Sequence, residues 1–392
     1  MSRIDDLIKQ YCPNGVEECS IAELCIPTNK GTLTQDKLTE KGKYPVINSG
    51  RELYGYYDSF NNDGERITIA SRGEYAGYIS YFNEKFWAGG LCYPYKVKDS
   101  NRLMAKYLYY FLKYKEKYLM NNLVARGSIP ALNKMDVDKF KIAVPPMEVQ
   151  EEIVRILDKF TELEAELEAE LEARKKQYEY YRDNLLKFDE PNSNVVWKTL
   201  GEIGHFMRGN GLQKKDFTES GVGCIHYGQI YTYYGLSATK TKSFISEELS
   251  RRLKKAKKGD LIIATTSENI EDVCKSVVWL GNDDIAISGD AYIYRHTQNP
   301  KYIAYYLQTS SFFEHKRKYA TGTKVIRVSG EHMARFRIPI PPLSEQERIV
   351  SILDKFDALV NDISEGLPAE LNARRKQYEY YRDKLLTFKK QL

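Results

Sequence analysis

Between Pro145 and Phe188 the apolar positions fall at Val149, Ile153, Ile156, Phe160, Leu163, Leu167 and Leu171, then resume at Tyr178, Tyr181, Leu185 and Phe188. Alternating steps of three and four form the seam of a coiled coil, with a stutter near Leu171. Pro145 and Pro146 cannot continue a preceding helix, and no Gly or Pro follows before Phe188, so the spacing predicts one long helix. At about 1.5 Å per residue it would be a rod of roughly 60 Å, long enough to hold two domains apart. The pattern returns at residues 341–388. Pro145, Gln150 and the ILDKF block recur 196 residues later, and RKKQYEYYRDNLLKF recurs 200 residues later as RRKQYEYYRDKLLTF. The extra length lies between Phe356 and Arg374, where Gly366 and Pro368 predict a local break. Two similar rods lying antiparallel, and a chain built as an internal repeat, are the expectation.

The segments between the rods alternate differently. Residues 1–15 hold a short amphipathic helix from Ile4 to Tyr11, expected to dock beside the C-terminal rod. Residues 16–144 form a first domain with candidate strands at 44–48, 66–70, 77–82 and 92–97, separated by Gly, Asn and Asp. A helix follows with Leu108, Phe111, Leu112 and Leu119 inward. After the central rod at 145–188, residues 189–340 repeat the plan, and 341–392 form the last rod. CIHYGQIY answers VINSGREL, setting Gly228 against Gly50 and Gln229 against Arg51. Thr265 and Thr266 fall where the first domain has Ser71 and Arg72, and Gly322 faces Gly127. The predicted fold is α+β: two similar α/β domains separated by two long antiparallel coiled-coil helices, related by an internal pseudo-two-fold repeat.

Charge sharpens this picture. The net charge is +5, yet residues 161–173 carry six glutamates and no base, so the rest of the chain sums to +5 − (−6) = +11. Basic charge on the domains suits a polyanion. The 31 tyrosines suit half-buried, half-polar contact surfaces. No apolar run approaches the length of a membrane span and the first residues are charged, so a soluble, cytoplasmic protein is expected. The six cysteines form no CxxC pair and no zinc spacing with the five histidines, which predicts reduced structural thiols and no metal. There is no P-loop, no GxGxxG opening a helix, no HExxH, no nucleophile elbow and no Asn/Asp-Pro-Pro-aromatic motif. No residue is therefore assigned to catalysis. His226, between Ile225 and Tyr227, reads as a hydrogen-bonding loop residue rather than a base.

Basic and polar loop residues are the remaining chemistry. Lys30, Asn48, Arg51, Ser71, Arg72 and Arg126 in the first domain are candidate DNA contacts, with Lys134 nearby. In the second they are Arg208, Lys214, Lys215, His226, Gln229, Lys240, Lys242, Thr265, Thr266 and Lys324, beside a basic run at Lys240–Lys258 and the cluster of Arg317, Lys318, Arg327, Arg335 and Arg337. Lys and Arg neutralise phosphates, while Arg prefers guanine and Gln prefers adenine in bidentate geometry.

The duplicated plan, the PPLSEQERIV start and the KQYEYYRDKLL end resemble the specificity subunit of type I restriction-modification systems. The most specific parts are Pro145, Pro146, Gln150 and Glu151, repeated as Pro341, Pro342, Gln346 and Glu347. The resemblance implies two target-recognition domains, each reading one half of a split asymmetric sequence in double-stranded DNA. It also implies helices that set the gap and dock two modification subunits, with Tyr178, Tyr181, Tyr378 and Tyr381 as contacts. The cofactors it implies lie in the partners: S-adenosylmethionine for adenine methylation, and ATP and Mg in two restriction subunits where these are present. The LEAE units at 163–173 look like length-setting repeats, each adding about 6 Å and about 40° of turn. The competing reading is a coiled-coil scaffold linking two partners, which explains the rods but neither the duplicated loop-bearing domains nor the basic excess.

Overall fold

The computed structural model describes residues 3–188, 195–362 and 364–391, so the expected start of the second domain at 189–194 lies outside the described residues. The chain divides into two compact units, residues 1–166 with 371–392, and residues 167–370. Both divisions fall inside the rods, so each unit owns part of each.

In the first unit, strand Glu17–Ser20 pairs antiparallel with Lys141–Val144 and so brings the two ends of the domain together. The main sheet has the order Cys25–Pro27, Cys92–Val97, Arg66–Ala70, Ile79–Phe82. The strand Ile79–Phe82 begins two residues later than the expected 77. A smaller sheet sets Tyr44–Ile47 beside Gly55–Tyr57 and, in parallel, Trp87–Ala88. Helix Ala105–Asn122 buries Leu108, Phe111, Leu112 and Leu119 as its periodicity predicts, together with Tyr107 and Tyr110. Each such side chain contributes about 1.5–3 kcal/mol of transfer free energy. The N-terminal helix Arg3–Tyr11 lays Ile4 on this core, where Leu385 and Leu386 of the last rod also pack.

The second unit repeats the frame. Val196–Thr199 pairs antiparallel with Arg337–Ile340. The main sheet runs Gly204–Arg208, Ala291–His296, Leu261–Ala264, Ser276–Trp279, Ser237–Ala238. The smaller sheet again contains one parallel pair: Ile225 sits opposite Ile287, as Ile47 sits opposite Ala88.

The central helix runs Met147–Leu185 without interruption. Its glutamates pair along the surface, Glu162 with Lys159 at 2.9 Å and Glu172 with Lys176 at 3.2 Å. Such exposed pairs add only tenths of a kcal/mol each, and propensity carries the rest. The second rod is two helices, Leu343–Asn361 and Leu367–Leu385, interrupted between Asn361 and Leu367 as expected, with Pro368 in the first turn of the second helix. Within the first unit the rods meet antiparallel: Phe160 stacks on Tyr381 at 5.5 Å, and four residues on, Glu164 pairs with Arg375 at 2.6 Å. Within the second unit Phe356 stacks on Tyr181 at 5.3 Å, the repeat-related contact. Among the described residues no helix is long and apolar enough to cross a membrane. All six cysteines are unpaired and buried, and burial pushes Cys25, Cys92, Cys224 and Cys274 up to about 12, which leaves these four as inert thiols.

Candidate nucleic-acid interface

In the first unit a tight turn, Gly89-Gly90-Leu91, feeds the strand Cys92–Val97 and collects the candidate residues. The Leu91 N–H donates to Asn48 Oδ1 at 2.9 Å, and the Ser71 N–H donates to the Leu91 carbonyl at 2.9 Å. Lys30 Nζ donates to the Gly90 carbonyl at 3.0 Å and lies 4.9 Å over the Tyr93 ring. The turn after Ser71 is held to a two-stranded ribbon, Val124–Ala125 with Ala131–Leu132: Leu132 N–H donates to Ser71 O, and Gly73 N–H to Pro130 O. Arg72 is exposed opposite Ala131. Arg51 lies 4.8 Å over Tyr75, and Arg126, near the ribbon's tip, reaches Asn121 at 3.4 Å. Lys30, Asn48, Arg51, Ser71, Arg72 and Arg126 thus gather at one end of the main sheet. Lys134 is committed elsewhere, to Asp138 at 2.6 Å.

The equivalent turn in the second unit is Ser288-Gly289-Asp290. Arg208 Nε donates to the Gly289 carbonyl at 2.8 Å, as Lys30 does to Gly90, and its guanidinium lies 3.8 Å from the Asp290 carboxylate. Thr265 donates through its N–H to Asp290 O at 3.1 Å, matching Ser71 on Leu91. Thr266 pairs with Arg327 in the ribbon Thr266–Ser267 with Ile326–Arg327, and Lys324 is exposed at its tip. Lys214 and Lys215 are exposed on the short turn Lys214–Asp216. Lys240 and Lys242 follow the strand Ser237–Ala238, with Lys242 4.6 Å over Tyr233.

Several side chains behave differently from their sequence reading. Gln229 is not in a loop: it is buried in helix Tyr227–Thr232. Its Oε1 accepts the His226 N–H at 3.0 Å and its Nε2 donates to Ser243 Oγ at 2.7 Å. That amide is used within the fold, so the matched position holds an exposed Arg51 in one unit and a buried glutamine in the other. The cause is local: His226 caps the helix by accepting the Gly228 N–H on Nδ1 at 3.3 Å, and Gln229 closes the capping box. His226 itself is buried, and burial, followed by the nearby Lys214 charge, lowers its pKa, while Asp290 partly opposes this. Ser71, Thr265 and Thr266 are buried frame residues whose backbones carry the turn and ribbon bonds. Arg327, noted only within a basic cluster, occupies the ribbon position opposite Thr266. The repeat supplies the signal for it, because Ala131 lies four residues after Gly127 and Arg327 five after Gly322, each one residue before an aligned apolar position.

The rod tyrosines also divide. Tyr178 is 5% exposed, packs in the second unit's core and donates to Gln308 at 3.4 Å, so its ring is not free for a partner. Tyr378 packs against the first unit's core. Tyr181 and Tyr381 keep 40% and 37% exposure over their stacked phenylalanines, and the most open rings are Tyr180 at 66% and Tyr380 at 64%. Two residues from Tyr178 along a helix is the opposite face, which is the signal for Tyr180.

Comparison with known proteins agrees with this frame. The family described as Type I restriction modification DNA specificity domain matches residues 13–173 and 192–373. The type I restriction enzyme EcoR124I/EcoR124II specificity subunit of Escherichia coli is 32% identical over 369 residues, covering 88% of this chain and 87% of its own length. A putative type I restriction enzyme specificity subunit of Haemophilus influenzae is 32% identical over 390 residues, covering 93% of each. The crystal structure of a type I restriction-modification S subunit from M. genitalium matches with a TM-score of 0.59 at 19% identity, covering 94% of this chain and 96% of that one.

Proposed function

Because the chain belongs to the family of type I restriction-modification DNA specificity subunits, we propose that each of its units reads one half of a split, asymmetric target in double-stranded DNA. One observation carries this reading: the same turn, Gly90 in one unit and Gly289 in the other, presents different side chains. The first displays Lys30, Arg51, Arg72 and Arg126; the second displays Arg208, Lys324 and Arg327. An identical frame with different loops yields two half-sites of different sequence. Lysines around the turns supply salt-dependent affinity to phosphates, and arginines reach base edges. The scaffold alternative accounts for neither the family membership nor the matched turns.

The rods set the gap between half-sites and dock two modification subunits, with Tyr180, Tyr181, Tyr380 and Tyr381 offering aromatic contact surface. Adenine methylation with S-adenosylmethionine belongs to those partners, and ATP and Mg belong to two restriction subunits where the system has them. This chain contributes recognition and geometry in the cytoplasm, where the DNA is. Single-molecule sequencing of DNA from cells expressing the chain with its modification partner should reveal methylated adenines in a split motif with a fixed gap. An active, soluble complex that leaves no motif overturns the reading.

A further inference from the structure

The two ribbons each set one arginine opposite one small residue, on opposite strands. In the first unit Arg72 stands opposite Ala131; in the second, Thr266 stands opposite Arg327. The positions are equivalent because Leu132 N–H bonds Ser71 O in one unit and Val328 N–H bonds Thr265 O in the other. Residues directly opposed in an antiparallel ladder project from the same face, with Cα atoms about 4.5–5.5 Å apart. Each unit therefore extends one arginine and one small side chain from that face, on exchanged strands.

These two arginines differ from the other arginines at the turns. Arg51 lies on Tyr75, Arg126 bonds Asn121, and Arg208 is held by Gly289 and Asp290. Arg72 and Arg327 are exposed, and among the described residues their guanidinium groups have no hydrogen bond, ion pair or ring contact within the chain. The ribbon backbone fixes where each begins, while the planar donor fork is left unspent. A free fork on a positioned strand suits bidentate bonding to guanine O6 and N7, whereas the neighbouring lysines, as point charges, suit phosphates.

Resting on the recognition reading above, we propose that Arg72 and Arg327 each read one guanine, one in each half-site. The strand exchange displaces the second arginine across the ribbon by about 5 Å, between one and two base-pair steps of roughly 3.4 Å. The guanines accordingly sit at different offsets within the two half-sites.

The test uses the purified complex with its modification partner and a randomised duplex pool, sequencing the bound fraction. Arg72→Ala should cost about tenfold or more in preference at one guanine of one half-site, leaving the other half-site and the gap intact. Arg327→Ala should do the same in the other half-site. The untouched half-site in each variant reports that the protein is folded. Arg72→Thr combined with Ala131→Arg, which copies the second unit's order, should restore a guanine preference displaced by one or two base pairs. Weakening of every sequence alike, or retention of both guanines in the alanine variants, sinks this assignment alone. If the wild-type complex enriches no split motif, the recognition reading falls and takes the assignment with it.

Discussion

In the first unit Gln150 is fully buried where the central rod begins. Its Oε1 accepts the Met104 N–H at 2.9 Å, and its Nε2 donates to the carbonyls of Pro145 at 2.7 Å and Arg102 at 2.9 Å. In the second unit Gln346 does the same work: it accepts the Asn299 N–H at 3.0 Å and donates to Pro341 O and Gln298 Oε1 at 2.9 Å. Eight residues further along each rod, Asp158 accepts from Lys106 and Tyr110, and Asp354 accepts from Lys301 and Tyr305, all between 2.6 and 2.8 Å. Where rod joins domain, the two units share this scheme and differ only in one acceptor, the Arg102 carbonyl against the Gln298 side-chain oxygen. At the turns they diverge: an open bend around Asn48 is replaced by a capped helix at His226, and apolar Leu91 by Asp290. On the proposed reading, the constant junction would serve the shared partner and the differing turns the choice of target, since a shared partner demands constancy and two half-sites demand difference.

The sharpest way to break the shared part is Gln346→Leu, which strands the buried Pro341 carbonyl and the half-buried Asn299 N–H and Gln298 oxygen. It should destabilise the second unit by about 2–4 kcal/mol, and Gln150→Leu should do the same to the first. Urea titrations can separate the units because Trp87 is the one tryptophan of the first, while Trp197 and Trp279 belong to the second. Equal effects on both transitions from either variant would contradict the division into two units.

Acid should sharpen the difference. All five histidines lie in the second unit and none in the first. Burial holds His296 down to about 4, and burial also lowers His226 and His315. With the folded-state value below the unfolded one near 6.5, the stabilisation is present above pH 6.5 and is lost as pH falls toward 4. At pH 5 His296 alone should cost the second unit about 2 kcal/mol relative to pH 7.5. His296→Gln should flatten that dependence, and a first-unit transition that moves as much would remove the explanation.

The smallest contrast is at the ribbon loops. Gly322 has φ +99, and a Cβ there would lie 2.1 Å from the Val325 carbonyl oxygen, whereas Gly127 has open space around it. Gly322→Ala should lower stability by about 1–2 kcal/mol and Gly127→Ala by less than about 0.5, read as shifts in the thermal midpoint. The aligned glycines would then be equivalent in sequence and different in need.

The rods were legible because a helix is a local structure. The 3-and-4 spacing from Val149 to Leu171 and the break before Pro368 can each be read within one turn of chain, and both stand in the structure. The paired Ile47 and Ile225 were legible through the repeat, which set VINSG against CIHYG before any strand was seen. The same alignment misled at Gln229, which it set against the exposed Arg51. Similar spacing does not reveal that a histidine at 226 will cap a helix and draw the glutamine inward.

What the amino-acid order determined by itself was periodicity, duplication and the absence of catalytic motifs, all properties of neighbouring or repeated residues. Only the tertiary structure decided which side chains are spent and which are left over. Tyr178 is consumed by a core, Arg208 by a carbonyl and a carboxylate, and Arg327 becomes notable only through the strand it faces. The physical reason is that a side chain's availability depends on partners brought from far along the chain. Asp290 is 82 residues beyond Arg208, and Arg327 is 61 beyond Thr266, distances that no local pattern spans.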